Sequence, residues 1–141
     1  MIFTNSDGGS RGNPGPGAIG ILIRDEGKIL TKFSEFIGDM VTNNEAEYTA
    51  LIKVLKMASE ITDGEITCVM DSELVVKQMH GKYKVRHPAM MELYFIVKKL
   101  EERFQKVTYI HTSREDKFQT IVDELLNEEL DRRKVKKKFL R

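Results

Sequence analysis

The chain has one cysteine, three prolines, three histidines and no tryptophan among its 141 residues, and the shortages narrow what it can be. The lone Cys68 cannot build a disulfide framework or a thiolate metal site, which favours a reducing compartment. No apolar run approaches the roughly 18 residues of a membrane span, and residues 1–7 are too short and polar for a secretory leader. A soluble, cytoplasmic monomer is the expectation. Internal repeats and low-complexity linkers are missing, and no G-x-x-x-x-G-K-[ST] loop is present to cradle a nucleotide.

What is present fits one globular domain over residues 1–141. Hydrophobic residues make up 40%, and a chain of this size buries roughly two-thirds of its surface. The net charge of +1 conceals a division: residues 132–141 carry seven of the 23 Lys and Arg and no acid, leaving 16 bases against 22 acids elsewhere. An acidic body suits a divalent cation and opposes binding nucleic acid by charge alone. The basic tail can supply phosphate contacts, or simply complement the C-terminal end of a helix.

The hydrophobic pattern predicts a short strand over residues 2–6, then β-rich runs over 18–24 and 28–37 joined at Asp25-Glu26-Gly27 as a hairpin. From Asn44 the period becomes helical, with Tyr48, Leu51, Ile52, Leu55 and Ala58 on one face and Thr42, Asn43 and Asn44 offering side-chain oxygens for the N-cap. Residues 65–70 read as a strand ending at Asp71, followed by a short helix over 73–79 that Ser72 can cap. Pro88 is placed to open a helix whose stripe is Leu93, Ile96, Val97, Leu100 and Phe104. Residues 107–111 form a fifth strand, and a polar loop over 112–119 leads to a last helix, through about Lys134, with Val122, Leu125, Leu126 and Leu130 inward. The order β-β-β-α-β-α-α-β-α predicts an α/β fold with a mixed five-stranded sheet, antiparallel first and then crossed over by helices.

Four acids stand at element ends. Asp7 and Asp71 follow apolar strands, and the carboxyl ends of strands border the binding crevice of open α/β sheets. Glu47 lies one turn before Leu51, toward the sheet side of its helix, and Asp123 is in line with Leu126 and Leu130. Each also has a plain structural role open to it. Asp7 and Asp71 suit turns or caps, Asn44 and Glu47 fit a capping box, and Asp123 suits the helix dipole. Should the four converge, oxygen-only ligands without a Cys or His cluster imply a hard ion such as Mg²⁺ or Mn²⁺. The run from Gly15 to Gly20 matches G-x-G-x-x-G, but a β-branched strand rather than a helix follows, which excludes a dinucleotide fingerprint. The glycines after Asp7 fit close backbone approach to a bulky ligand, or a strand connection needing positive φ.

Several motifs in order then resemble type 1 ribonuclease H in its compact bacterial and archaeal form. These are DGGSRGNPGPG from Asp7, TNNEAEY from Thr42, DSELVVKQ from Asp71, and HTSRE from His111 with Asp123 downstream. The resemblance covers nearly the whole chain and implies the ribonuclease H-like fold. It implies an endonuclease that hydrolyses the RNA strand of RNA–DNA hybrids, leaving 5′-phosphate and 3′-hydroxyl ends. Asp7, Glu47, Asp71 and Asp123 match the family's metal-binding carboxylates, holding two Mg²⁺ ions with Mn²⁺ as a substitute. His111 and Arg114 both occupy the neighbourhood of the family's turnover-assisting His or Arg. Gly8, Gly9, Ser10, Asn13, Thr42, Asn43, Asn44, Ser72, Gln78 and Tyr83 match substrate-contacting positions, the neutral ones suited to 2′-hydroxyls and base edges.

The chain also departs from the pattern. Tyr83 stands where many relatives carry tryptophan, and residues 79–87 are too few for the extra basic helix of some relatives. The approach to Asp123 replaces Asn-x-x-Ala-Asp by Lys117-Phe118-Gln119-Thr120-Ile121-Val122-Asp123 and is two residues longer, which leaves Asp116 as a weaker substitute carboxylate. Two alternatives stay open: a nuclease of this fold acting on double-stranded RNA or DNA, or a hybrid-binding module with impaired catalysis.

Overall fold

A computed structural model describes residues 1–139, with side chains of the last helix described through Lys134. The basic tail's remaining side chains lie outside the described residues. In chain order the elements are β1 (Ile2–Ser10), β2 (Gly15–Asp25), β3 (Lys28–Val41), α1 (Asn43–Ser59), β4 (Glu65–Met70), α2 (Glu73–Met79), α3 (Pro88–Glu101), β5 (Lys106–His111) and α4 (Lys117–Phe139). The five-stranded sheet runs β3-β2-β1-β4-β5, with antiparallel pairing among β1, β2 and β3 and parallel pairing of β4 to β1 and β5 to β4. This is the expected mixed α/β architecture.

Alternation along β2 explains how both sheet faces are covered. Ile19, Ile21 and Ile23 point into the main core with Tyr48, Leu51, Leu55 and Ala58 of α1 and Val97 and Leu100 of α3. Ala18, one register step away, joins Leu126 and Leu130 of α4 in a second cluster. The helical stripe of α1 is buried as its period required. On α3 the stripe is narrower: Val97 and Leu100 are buried, while Ile96 stands 42% exposed beside Phe95 at 60%.

Several boundaries differ from the sequence reading, β3 among them, which runs to Val41 rather than to residue 37. β1 and β2 extend well into the glycine-rich stretch, pairing as far as Ser10 with Gly17, with Gly8 opposite Ile19 and Gly9 opposite Ala18. The N-cap of α1 is Thr42 rather than Asn44: Thr42 Oγ1 accepts the Glu45 N–H at 3.1 Å and Glu45 Oε1 accepts the Thr42 N–H at 3.1 Å. That box leaves Glu47 unused as a cap. Finally, α4 starts at Lys117 inside the expected loop, because the Asp116 carboxylate accepts the N–H groups of Phe118 and Gln119 at 3.0 and 3.1 Å. Asp116 is therefore spent as a cap and is not a substitute ligand.

Candidate active site

The sheet splits beside Asp7. Pairing of β1 with β4 stops at Asn5 and Val69, whereas pairing of β1 with β2 continues to Ser10. Asp7 enters the crevice so opened from β1, and Asp71 enters from the residue after β4. Glu47 arrives from the first turns of α1, whose backbone lies almost on the strand: a Cβ on Gly8 would sit 2.1 Å from the Ala46 carbonyl oxygen. The space that Gly8 leaves is thus filled by the chain's own helix, and this contact seats Glu47 beside Asp7. Asp7, Glu47 and Asp71 each present a carboxylate oxygen, all within 4.8 Å of one another.

Asp123 comes from the opposite face of the sheet. Gly20, directly across the ladder from Asp7, has no side chain because the Val122 carbonyl oxygen would lie 2.1 Å from its Cβ. That approach brings Asp123 to the same cleft, of about 290 Å³, which Asp7, Glu47, Asp71, Arg114 and Asn127 also line. Asp123 is exposed at the rim, its backbone carbonyl accepting from Asn127 Nδ2 at 2.9 Å, and it stands outside the tight three-carboxylate cluster.

Burial first, and then the charges of Asp71, Glu47 and Asp123, push the Asp7 carboxyl up to about 9. Burial likewise lifts Glu47 to about 7, with Asp71 raising it further while a Ser72 hydrogen bond and the Arg114 charge oppose the shift. An acidic, oxygen-only cluster that resists ionisation on its own fits a hard divalent cation, which supplies the missing positive charge. Both carboxyls bind protons more tightly folded than unfolded, so their contribution to stability is full at acid pH and is lost as pH rises toward about 9. Without metal, the melting temperature should therefore fall between pH 5 and pH 9 by more than in Asp7→Asn. Added Mn²⁺ should restore it most at the alkaline end, and only in the native sequence. Parallel melts in EDTA and in Mn²⁺ check this; an Asp7→Asn slope equal to that of the native chain would contradict it.

Of the two candidate turnover residues, the structure brings only Arg114 to the cleft. Its Nε lies 3.6 Å from Asp71 Oδ2, on a side chain 89% exposed, so the pair adds little stability and the guanidinium stands largely in solvent. His111 ends β5, exposed, and is not among the residues lining this cleft. The recognition positions divide in the same way. Ser10 donates its N–H to Asn43 Oδ1 at 2.9 Å, and Asn43 donates its own to Asn13 Oδ1 at 2.9 Å, tying the β1–β2 connection to the start of α1. Gly8, Gly9, Ser10 and Asn43 line the carboxylate cleft, while Asn13, Thr42 and Asn44 border a neighbouring hollow. Ser72 caps α2 through Val75 N–H at 3.2 Å and also bonds Glu47.

Gln78 is buried and accepts from the Tyr48 hydroxyl at 2.5 Å, yet it also lines a separate hollow of about 310 Å³ with Tyr83, Lys84 and Phe95. Tyr83 is 45% exposed there, with Lys77 Nζ 5.0 Å above its ring. Arg11 and Asn127, which line the cleft, and Gln119 behind it are not among the residues singled out from the sequence. Gln119, placed there in a polar loop, is almost fully buried and donates to the Asp71 carboxylate. Its only signal was a long polar side chain three residues before the first inward apolar position of α4.

Crevice, carboxylates and strand order together define an α/β domain of the ribonuclease H-like class. A profile of the reverse transcriptase-like family matches residues 5–125. A bifunctional protein of Mycobacterium tuberculosis is 38% identical over 132 residues, covering 92% of this chain but 35% of the mycobacterial one. Ribonuclease HI of Halobacterium salinarum is 36% identical over 126 residues, covering 89% of this chain and 62% of the halobacterial one. The crystal structure of LC11-RNase H1 in complex with RNA/DNA hybrid is 40% identical, with a TM-score of 0.88 over 94% of this chain and 98% of that one. LC11-RNase H1 was isolated from compost by a metagenomic approach. The chain belongs to the type 1 ribonuclease H family, in its compact form.

Proposed function

We propose that this chain is an endoribonuclease that hydrolyses the RNA strand of RNA–DNA hybrids with Mg²⁺, leaving 5′-phosphate and 3′-hydroxyl ends. It acts as a single domain, a cytoplasmic monomer. The observation that carries the reading is the cluster of Asp7, Glu47 and Asp71, with oxygens within 4.8 Å, opening onto a cleft edged by backbone amides and neutral side chains. Asp7, Glu47 and Asp71 hold the metal, and Asp123 completes the set from the rim. Two Mg²⁺ ions held there would supply an activated water and charge stabilisation of the departing 3′ oxygen.

The chain's own groups do the rest. Gly9, Ser10, Asn43 and Asn13 form a braced edge on which RNA sugars lie, where a 2′-hydroxyl is the feature that separates RNA from DNA. Asn44 continues that edge toward 2′-hydroxyls and base edges, Thr42 meets a phosphate of the DNA strand, and Tyr83 offers its ring to a sugar of the DNA. Arg114, exposed and cationic beside Asp71, attends the phosphate that is cut and helps release the product. Arg114 lines the cleft and His111 does not, so on this reading Arg114→Ala should slow turnover about tenfold while His111→Ala leaves it within twofold.

The test is a matched set of end-labelled hybrid, RNA duplex, DNA duplex and single strands, incubated with Mg²⁺ or Mn²⁺. Cutting confined to the RNA of the hybrid is the expected result. Preferred cutting of the RNA duplex or of DNA would move the chain to another substrate, and salt-sensitive binding without products would make it a binding module.

A further inference from the structure

Behind Asp71 lies a line of polar groups that the active-site carboxylates do not account for. Gln119 is 1% exposed, in the first turn of α4, and its Nε2 donates to Asp71 Oδ1 at 3.1 Å and to the Ser6 carbonyl oxygen at 2.9 Å. Its Oε1 accepts from Asn5 Nδ2 at 3.2 Å, and Asn5, fully buried, accepts through Oδ1 from Arg24 Nε at 3.1 Å. Arg24 is clamped between the rings of Phe3 and Phe118, with its guanidinium carbon 4.5 and 4.1 Å from their centroids.

An amide can face either way, but a guanidinium only donates. Arg24 therefore obliges Asn5 to turn its oxygen outward and its NH₂ inward, which in turn obliges Gln119 to spend its oxygen on Asn5. The Gln119 NH₂ is left facing Asp71 and the backbone just before Asp7. Reversal of either amide would set oxygen against oxygen or NH₂ against a cation inside the core, an arrangement that buried polar groups avoid.

We infer that Gln119 is a positioning residue: the directed relay from Arg24 through Asn5 and Gln119 locks the orientation of the Asp71 carboxylate and joins the strand bearing Asp7 to the helix bearing Asp123. Asp71 Oδ1 is held from behind, and Oδ2 faces the cleft side where Arg114 lies. The residue sits in the segment that departs most from the family pattern, so the longer approach to Asp123 brings its own brace. A brace of this kind strengthens metal binding by fixing the ligand before the ion arrives. The inference rests on the metal-dependent reading of the site for its effect on turnover, but its effect on metal affinity can be measured without substrate.

The experiment is calorimetric titration of the purified native chain, Gln119→Leu and Arg24→Met with Mn²⁺, together with melting temperature and the kcat and KM for hybrid cleavage. Gln119→Leu should weaken Mn²⁺ binding by about tenfold or more and lower kcat to a similar extent, with KM within about threefold. Arg24→Met leaves both amides and all four carboxylates in place, and should weaken Mn²⁺ binding about threefold by freeing the amides to turn. A merely structural Gln119 would lower the melting temperature without moving Mn²⁺ affinity. Native Mn²⁺ affinity in folded Gln119→Leu, or in Arg24→Met if the first variant fails to fold, overturns the inference. Failure of the native chain to cut hybrid would count against the proposed function, while the affinity comparison would still decide the relay.

Discussion

Asp71→Asn should reduce hybrid cleavage on the order of 10³-fold or more while leaving the fold intact. The substitution keeps the shape of the side chain and an oxygen to accept the Gln119 N–H, so the buried polar line behind it survives. It removes one negative charge from a cluster whose other members already resist ionisation, so the metal-free protein should melt no lower than the native chain. The ion pair given up with Arg114 joins a side chain 89% exposed and is worth little. What is lost is a ligand charge that Asp7 and Glu47 cannot replace. Titration with Mn²⁺ should show weakened binding in the same variant. Native turnover in a folded Asp71→Asn would mean that the three-carboxylate cluster is not the catalytic centre.

The second large effect falls on a residue with no side chain at all. Gly20→Ala would set a methyl 2.1 Å from the Val122 carbonyl oxygen and 3.1 Å from Leu125 Cβ, both on α4. Neither the strand nor the helix backbone can yield a contact of that kind by rotating a side chain, so α4 must lift from β2. Overpacking on this scale costs about 3 kcal/mol, or a fall of about 10 °C in melting temperature for a chain of this length. The lift also carries Asp123, one residue beyond Val122, away from Asp7, so activity should drop further than the stability loss alone explains. Gly27→Ala is the control, since nothing lies within 4 Å of its added methyl. Equal melting temperatures for the two variants would show that the helix is not seated by this contact.

How far the sequence reached follows from the range of each interaction. The burial of Tyr48, Leu51, Ile52, Leu55 and Ala58 was legible because helical periodicity is local and one face of α1 meets the sheet along its whole length. Asp71 is legible as a strand-end acid; Asp7, expected at a strand end, lies inside β1 just past the point where pairing with β4 stops, and the family resemblance adds their partners. The cap of α1 is ambiguous in the sequence because Thr42, Asn43 and Asn44 all offer oxygens, and Asn44 with Glu47 has the box spacing of Thr42 with Glu45. Only the structure places Thr42 Oγ1 on the Glu45 N–H. Gly8 reads in the sequence as a ligand-approach glycine and Gly20 as an ordinary strand position, because the helix backbones that fill their space come from residues 46 and 122. Gln119 was hidden for the same reason, since its partners Asn5, Ser6 and Asp71 lie 114, 113 and 48 residues away. Patterns within a few residues were readable, and contacts made by docking α1 and α4 onto the sheet were not.

The most direct test of the account is end-group analysis of an RNA–DNA hybrid labelled on both strands and cut in Mg²⁺. Cleavage by water held at the Asp7, Glu47 and Asp71 cluster predicts RNA fragments with 5′-phosphate and 3′-hydroxyl ends, an intact DNA strand, and no products in EDTA. Cyclic 2′,3′-phosphate ends that persist in EDTA would mean that the RNA's own 2′-hydroxyl is the nucleophile, and would contradict it.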